Sequence, residues 1–351
     1  MNVCCYAHWA GVGGAEDMII EEIRYADRQK IEYTFVTEEA SGESVTLDEI
    51  RALGVPVYRL KTIDDFKTVY KDRGIQVLHV MSCGDIQPGY QAAIDLGIPV
   101  VDVQACVSYS RGWESFSHTG KIHPVYLCKE HWIHGGGGKS EFRIIEGGVD
   151  LAMLSPLNKS ECKASWGLDA NKIVIGFYGR FDMFKCPLTF YEIAYALRDR
   201  EDLQFVMWGD GIDRGRVEGL TKQRSCHLTF MGATRNKARA FGAIDIYTMI
   251  TWQEAFGRVF AEAQACGIPI ITSDYEVCRD VCGSSAIYLP YERVDPMSQR
   301  FVEIWVARII DLLNNKEQRV AMSSAGIVNS KRFDAQKMAK EYERLYLEVA
   351  N

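Results

Sequence analysis

Two glutamates separated by seven residues form the most specific chemical pattern in this sequence. Glu254 stands in a predicted loop, and Glu262 stands about one turn into the helix predicted to follow it. Gly257 is expected to begin that helix, so the backbone N–H groups of Gly257, Arg258 and Val259 would have no partners within it. Such groups at the positive end of a helix favour a bound phosphate.

Glu262 lies in an apolar stretch, Val-Phe-Ala-Glu-Ala-Gln-Ala, and its environment allows two interpretations. A buried carboxylate is costly unless it accepts hydrogen bonds, which the hydroxyl groups of a ribose would donate. The alternative is that Glu262 faces solvent on an amphipathic helix.

A second segment, residues 179–185, ends the first strand predicted in the second half of the chain. Arg180 and Lys185 offer a guanidinium fork and a point charge suited to phosphate oxygens, at the strand end where open α/β sheets bind ligands. The alternative is two solvated cations in a loop. Gly209-Asp210-Gly211 ends the next strand, either as a loop that admits a ligand or as a plain turn.

A third segment is glycine-rich and joins the first predicted strand to the first predicted helix. Gly13 and Gly14 would let the backbone approach a ligand closely, next to the free N–H groups of the helix start. The spacing is not G-x-G-x-x-G, so a tight turn without a ligand is the alternative.

Short apolar runs alternate with longer amphipathic patterns along the whole chain. Most of the apolar runs lack alternation, which is typical of parallel strands buried on both faces. The pattern therefore predicts an α/β fold with two doubly wound, Rossmann-like parallel sheets in series. Strands are predicted over residues 3–8, 32–37, 55–60, 76–81, 98–103, 172–178, 203–208, 227–231, 245–250, 268–272 and 286–289. Helices are predicted over residues 16–26, 90–96, 187–198, 259–266 and 302–314.

The domain boundary is predicted at Ser155-Pro156, where the pattern breaks. An N-terminal domain over 1–155 and a C-terminal domain over 156–334 suit a chain of 351 residues. Residues 335–351 carry apolar side chains at helical spacing and are expected to form a helix that packs back on the N-terminal domain.

The composition is that of a globular protein, with 47% hydrophobic and 25% charged residues, so large-scale disorder is excluded. No run approaches the ~20 apolar residues of a membrane span. The N-terminus also lacks the basic flank and apolar core of a signal peptide. We therefore expect a cytoplasmic protein.

The net charge and the cysteine content narrow the range of possible partners and sites. The formal net charge of −7 disfavours a nucleic-acid partner bound mainly by charge. The eleven cysteines are scattered without a zinc pattern, which indicates a reducing compartment and buried thiols. His131 and His134 lack a second ligand pair, so no metal site is predicted.

Taken in chain order, these motifs resemble those of retaining glycosyltransferases of the GT-B type, specifically glycosyltransferase family 4. The resemblance covers essentially the whole chain, and although each motif is common, their combination in this order is specific. The matching segments are residues 13–16, 147–150, 179–185, 209–211, 243–245, 254–262 and 265–269.

The resemblance implies two domains facing a deep cleft, with a nucleotide-sugar donor, a UDP- or GDP-sugar, held mainly by the C-terminal domain. Gly13 and Gly14 would approach the donor from the N-terminal domain. In the C-terminal domain, Arg180 and Lys185 would bind the diphosphate, and Glu262 the ribose. The sugar and distal phosphate would be held by Glu254 and by the backbone of Phe256, Gly257, Arg258 and Val259. The catalytic set implied is Glu254, Arg180 and Lys185.

The resemblance also implies sugar transfer to an acceptor hydroxyl with retention at the anomeric carbon. In this front-face mechanism the leaving phosphate helps to deprotonate the acceptor. Neither metal nor cofactor is expected, because cationic side chains and a helix N-terminus would neutralise the diphosphate. The motifs define neither the acceptor nor the oligomeric state.

One departure from the family pattern keeps two alternatives open. Many relatives carry a histidine just after the strand at 98–103, where this chain has Gln104-Ala105-Cys106. His8 or His118 would be a substitute. The alternatives are a non-catalytic nucleotide-sugar-binding subunit of a larger transferase and a GT-B-type nucleotide-sugar epimerase. Aromatic residues that would stack on an acceptor ring are Trp9, Tyr109, Trp113 and Phe116.

Overall fold

The computed structural model describes residues 1–82, 87–106, 121–134, 143–291 and 298–350. The chain divides into two compact units, Met1–Asp150 with Phe333–Asn351, and Leu151–Arg332. The division after Asp150 lies a few residues before the boundary predicted from the sequence. His118, Tyr109, Trp113 and Phe116 lie outside the described residues.

The N-terminal unit contains a seven-stranded sheet in which all neighbouring strands are parallel. The strand order is β3-β2-β1-β4-β5-β6-β7, so the order reverses between β1 and β4. The strands are β1 (Asn2–Ala7), β2 (Glu32–Glu38), β3 (Val57–Leu60), β4 (Val77–Ser82), β5 (Val100–Gln104), β6 (Ile122–Tyr126) and β7 (Arg143–Ile144).

In the described part of this unit there are six α-helices, and the last of them comes from residues 335–349. They are α1 (Gly14–Tyr25), α2 (Val45–Ala52), α3 (Ile63–Asp72), α4 (Pro88–Leu96), α5 (Lys129–His134) and α14 (Ala335–Val349). Thr62 and Asp65 form a capping box at the start of α3, which satisfies backbone donors that the helix itself leaves unpaired.

The C-terminal unit repeats the architecture with a six-stranded parallel sheet of order β10-β9-β8-β11-β12-β13. Its strands are β8 (Ile173–Tyr178), β9 (Leu203–Trp208), β10 (Leu228–Gly232), β11 (Ile246–Met249), β12 (Ile270–Ser273) and β13 (Ala286–Leu289). Its helices are α6 (Lys159–Ser165), α7 (Pro187–Ala196), α8 (Arg214–Gln223), α9 (Lys237–Gly242), α10 (Arg258–Ala265), α11 (Glu276–Cys282), α12 (Gln299–Asn314) and α13 (Lys316–Ser330).

The predicted fold class, two doubly wound parallel sheets, is confirmed. Both ends of each predicted strand lie within two residues of the ends of an observed strand. These strands could be located because apolar runs without alternation mark strands that are covered on both faces. The strands β6 and β7 were missed. Pro124 interrupts the apolar run of β6 and lacks the N–H that a strand normally contributes to its ladder.

The helix α14 is joined to the N-terminal sheet by a buried polar network. Glu22 on α1, His79 on β4 and Tyr346 on α14 are all fully buried. The Tyr346 hydroxyl donates to Glu22 Oε1 at 2.5 Å and also contacts His79 Nδ1. Glu22 Oε2 lies 3.0 Å from His79 Nδ1, and Glu22 Oε1 accepts a further bond from Tyr33 at 3.0 Å. Burial keeps these bonds away from water, so they fix the helix in place.

Candidate active site

The loops after β8 and β9 pack against each other backbone to backbone. Gly209 has φ +127°, and a Cβ there would lie 1.9 Å from the carbonyl oxygen of Gly179. At Gly211, with φ +153°, a Cβ would lie 2.4 Å from the Phe181 carbonyl oxygen. The two glycines therefore make room for the neighbouring loop, which explains the Gly-Asp-Gly sequence as a packing requirement.

Asp182 shapes the loop that carries the two predicted phosphate ligands. Its Oδ1 accepts from the backbone N–H groups of Phe184 at 3.0 Å and Lys185 at 3.1 Å. Its other oxygen contacts the Arg180 guanidinium, whose side chain is 69% exposed. Arg180 is thus tethered to Asp182, while most of its side-chain surface is open to solvent.

A second loop, which follows β11, holds the first one in place. Thr251 donates to the carbonyl of Phe184 at 2.9 Å, and the Trp252 indole donates to the carbonyl of Met183 at 2.8 Å. The rings of Phe184 and Trp252 pack with centroids 4.8 Å apart. The order of the strands causes this meeting, because β8 and β11 are neighbours at the point where the sheet reverses.

Two of the predicted catalytic residues meet at this junction. The Lys185 ammonium contacts Glu254 Oε1, and both side chains are mostly buried, with exposed fractions of 15% and 7%. A buried carboxylate and a buried ammonium each offset the desolvation cost of the other. The sequence placed the two residues in separate loops and did not predict that they pair.

The helix α10 begins where the sequence predicted. Gly257 is its N-cap with φ +75° and ψ +55°, a left-handed conformation that favours glycine. A Cβ at this position would also lie 2.5 Å from Cδ2 of Phe260. Phe256 just before it is buried, and Val259 in the first turn is half-buried.

Glu262 is fully buried, so the interpretation that it faces solvent was wrong. Its Oε1 accepts from Arg258 Nε at 2.9 Å and from Lys237 Nζ at 2.6 Å. Its Oε2 is buried and has no hydrogen-bond partner among the described residues. Sequence reasoning missed Lys237, which begins α9. The one sequence feature that could have indicated Lys237 is its position shortly after β10, because the carboxyl edge of such a sheet is where ligands bind.

Burial and nearby carboxylates shift the titration of other groups here. Burial, together with the charges of Glu254 and Glu262, raises the pKa of Tyr247 well above its usual value. Burial also raises the pKa of the Cys186 thiol to about 12 and that of Cys266 to about 12. These two thiols are therefore protonated at neutral pH and poor nucleophiles.

The predicted glycines of the first half lie at the corresponding edge of the N-terminal sheet. Gly13 is the N-cap of α1 with extended backbone, and Gly14 is the first residue of the helix. Gln104, which ends β5 and begins the predicted departure from the family pattern, is buried. Cys106 is exposed.

Comparisons with known proteins place most of the C-terminal unit in one family. Residues 158–328 match the family model of the glycosyl transferases group 1. The putative glycosyltransferase EpsF of Bacillus subtilis is 24% identical over 296 residues, which are 75% of this chain and 76% of that protein. The D-inositol 3-phosphate glycosyltransferase of Segniliparus rotundus is 29% identical over 204 residues, 54% of this chain and 43% of its own length.

Solved structures resemble the chain over nearly its whole length. HepE from Anabaena, solved in complex with UDP and glucose, has a TM-score of 0.80 at 15% identity, covering 98% of this chain and 99% of that one. WaaG, a glycosyltransferase involved in lipopolysaccharide biosynthesis, has a TM-score of 0.73 at 12% identity. The match covers 98% of this chain and 99% of that one. The fold is therefore GT-B.

The family match over residues 158–328, the glycosyltransferase relatives and the GT-B fold together support a GT-B glycosyltransferase. Residues 158–328 are its group 1 glycosyl transferase region. No helix in the described part of the chain combines the length and the hydrophobicity that crossing a membrane would require.

Proposed function

We propose that this glycosyltransferase takes its sugar from a nucleoside-diphosphate sugar bound at the carboxyl edge of the C-terminal sheet. The observation that carries the proposal is the buried Glu262, whose Oε2 is without a partner among the described residues. An unsatisfied buried acceptor costs stability unless a bound molecule donates to it. The hydroxyl groups of a ribose are donors of the right kind.

The diphosphate would lie beside the ribose, against cations and a helix start. Arg180 extends into solvent from its tether on Asp182, and Lys185 already pairs with a carboxylate. The α10 helix begins at Arg258, so its first N–H groups add positive partial charge. These groups stabilise a leaving diphosphate as its negative charge develops.

Glu254 and the backbone of Phe256, Gly257, Arg258 and Val259 would hold the transferred sugar. Glu254 is mostly buried and is anchored by its contact with the Lys185 ammonium, which orients its carboxylate. Gly13 and Gly14 would contribute backbone N–H groups to the donor from the N-terminal unit. The donor base is uracil or guanine. HepE is solved with UDP, and a relative in Mycolicibacterium smegmatis, 31% identical over 137 residues, is named GDP-mannose-dependent alpha-mannosyltransferase.

We further propose that transfer retains the anomeric configuration and needs no metal. The cations Arg180 and Lys185, together with the α10 N-terminus, supply the charge that a divalent ion would otherwise supply. In the front-face reaction the acceptor oxygen attacks from the side that the diphosphate leaves. No protein nucleophile is needed, in keeping with the raised pKa values of the Cys186 and Cys266 thiols.

A thermal-shift titration with UDP and GDP, in EDTA and in Mg²⁺, tests the donor site. A nucleotide at a hundred times its dissociation constant stabilises the folded state by about 2.7 kcal/mol. We expect one of the two to raise the melting temperature equally in EDTA and in Mg²⁺. A shift that requires Mg²⁺ contradicts metal independence, and the absence of a shift with both UDP and GDP contradicts the proposed donor site.

Donor turnover then tests the chemistry. UDP-glucose and GDP-mannose are incubated with methyl glycosides as acceptors, and the anomeric configuration of the product is read by proton NMR. Glu254→Gln and Lys185→Ala are expected to abolish transfer while circular dichroism stays native, whereas Lys222→Ala, at an exposed position on α8, keeps full activity. Full activity in both site variants would contradict the proposed site. A product with inverted anomeric configuration would contradict only the proposed retention.

A further inference from the structure

The two oxygens of the Glu262 carboxylate have different surroundings. Oε1 accepts from Lys237 Nζ at 2.6 Å and from Arg258 Nε at 2.9 Å. Oε2 is buried and has no hydrogen-bond partner among the residues that the structure describes. One oxygen is therefore engaged by two cations, while the other keeps its capacity to accept.

The two cations reach Glu262 from separate helices of the C-terminal unit. Arg258 begins α10 and lies one turn before Glu262, whereas Lys237 begins α9. Their side chains are mostly buried, with exposed fractions of 6% for Arg258 and 18% for Lys237. Burial limits the competition of water for these bonds, so both helices constrain the same carboxylate.

The start of α9 is itself anchored, which fixes the backbone that carries Lys237. Asn236 caps the helix by accepting from the backbone N–H of Arg239 at 3.4 Å, and its own backbone N–H donates to the Thr234 hydroxyl at 3.0 Å. The Tyr178 hydroxyl, at the end of β8, donates to the carbonyl of Thr234 at 2.9 Å. The position of the lysine is therefore set by contacts with the neighbouring strand.

The bonds at Oε1 restrict how the Glu262 carboxylate can turn. The terminal torsion of a glutamate is broad and two-fold, so a carboxylate without partners exchanges its oxygens freely. Two bonds to Oε1 remove this freedom and leave Oε2 as the available acceptor. Because an ionised carboxylate oxygen can only accept, its ligand must present a donor.

The ribose of a nucleotide carries two such donors, its 2′- and 3′-hydroxyl groups, and a deoxyribose lacks one of them. A site built around a buried acceptor discriminates against an analogue without the matching hydroxyl, because the acceptor is then left unpaired. Oε2 of Glu262 is an acceptor of this kind.

We propose that Lys237 and Arg258 are positioning residues that direct Oε2 of Glu262 to the ribose, so that the site selects ribonucleoside over deoxyribonucleoside diphosphates. This inference rests on the proposed function and narrows the donor to a ribonucleoside-diphosphate sugar. The two side chains act through Glu262 and not on the reacting atoms. Their effect is therefore on which nucleotide binds.

Calorimetry with UDP, 2′-deoxy-UDP and 3′-deoxy-UDP, and with the matching guanine nucleotides, tests the selection in the wild-type chain. The ribose ratio is the dissociation constant of a deoxy analogue divided by that of its parent nucleotide. We expect a ribose ratio of about 10 or more for at least one analogue, as one unpaired buried acceptor would cause. Ratios close to one for both analogues would overturn the ribose selection.

This first measurement needs no variant, so it remains a test even where a variant does not fold. It also separates the two proposals. If neither UDP nor GDP binds, the proposed function fails and this inference fails with it, whereas binding without discrimination overturns the inference alone.

Lys237→Met and its matched control, Lys222→Met at an exposed position on α8, test the positioning role. Lys237→Met is expected to weaken binding of the parent nucleotide and to lower the ribose ratio toward one, whereas Lys222→Met keeps both at the wild-type value. Lys237→Arg retains a cationic donor and is expected to restore part of the ratio. A merely structural lysine would weaken parent and analogue by the same factor, so an unchanged ratio in Lys237→Met would overturn its role.

A double variant shows whether the lysine acts through the glutamate. Glu262→Gln alone is expected to lower the ribose ratio, because an amide can present its NH₂ group, which does not accept. Adding Lys237→Met should lower the ratio no further, since residues that act as one unit are not additive. A further fall would show that Lys237 selects the nucleotide by another route and would overturn the assignment. Arg258→Met, measured in the same way, carries the same expectation for the second cation.

Discussion

At the scale of single residues, Glu262 is a buried carboxylate that pairs with two cations. Its carboxylate is fully buried and balances the charges of Arg258 and Lys237. In the proposed donor site its unpartnered Oε2 would accept from a ribose hydroxyl. Under the proposed function, the same residue contributes to stability without a ligand and to binding with one.

Glu262→Gln tests both contributions. An amide cannot balance the nearby cations, so we expect the free energy of unfolding to fall by about 3 kcal/mol, as when one partner of a buried ion pair is removed. Urea denaturation measures this change, and calorimetry with UDP or GDP should show weakened binding. The matched control is Glu303→Gln at an exposed position on α12, where a change within about 0.5 kcal/mol is expected. Equal stability of the two variants would contradict the role of Glu262.

At the scale of elements, the start of α10 depends on a single glycine. Gly257 combines a left-handed backbone with a close approach to the Phe260 ring. The first requirement comes from the turn out of β11, and the second from the packing of the helix on the loop. In the proposed donor site, both requirements would position the helix N-terminus for the diphosphate.

Gly257→Ala and Gly54→Ala separate the two requirements. Gly54 has φ +74°, nearly the φ of Gly257, but a Cβ there would meet nothing within 4 Å. Each substitution should cost about 1–2 kcal/mol for the left-handed backbone. Gly257→Ala should cost more because of the Phe260 contact, and should also weaken nucleotide binding. Equal losses of stability in urea denaturation would rule out the steric part of the explanation.

The helix α14 offers a second test at this scale, through two tyrosines one turn apart. Tyr346 donates to Glu22, whereas the buried hydroxyl of Tyr342 has no partner among the described residues. Tyr346→Phe should lower the free energy of unfolding by about 1–3 kcal/mol, because Glu22 loses a donor. Tyr342→Phe is the control and should be neutral or stabilising, since it removes a desolvated hydroxyl. A reversed order of the two melting temperatures would refute this account of the network.

At the scale of the whole molecule, the chain returns to its first unit after completing the second. Residues 333–351 belong to the N-terminal unit, where Val149 and Asp334 form a parallel bridge. The buried face of α14 includes Met338, Tyr342 and Tyr346. The N-terminal unit therefore completes its core only when the last residues of the chain are in place.

A chain that ends at Arg332 is expected to lose the fold of the first unit selectively. Removal of α14 exposes the apolar surface of α1 and leaves His79 and Glu22 without their tyrosine. Hydrogen exchange followed by mass spectrometry should show lost protection in residues 1–150 and retained protection in residues 151–332. Removal of Ala350 and Asn351 alone is the control and should change neither. Uniform loss of protection would mean that the two units fold as one.

The sequence by itself determined the fold class and most strands. Parallel strands covered on both faces require continuous apolar runs, and such runs can be read from the local sequence alone. It also located the loops that bear Arg180, Lys185, Glu254 and Glu262, since glycines and polar residues interrupt those runs. It missed β6, where Pro124 breaks the pattern, and it left the burial of Glu262 open.

Only the tertiary structure decided which of these side chains meet. The contacts of Lys185 with Glu254, of Lys237 with Glu262, and of His8 with Glu38 each join different loops or strands. Such pairs depend on which strands are neighbours in the sheet and on how their ends align. Local propensity and hydrophobic periodicity carry no information on either, because both arise within a few residues of the chain.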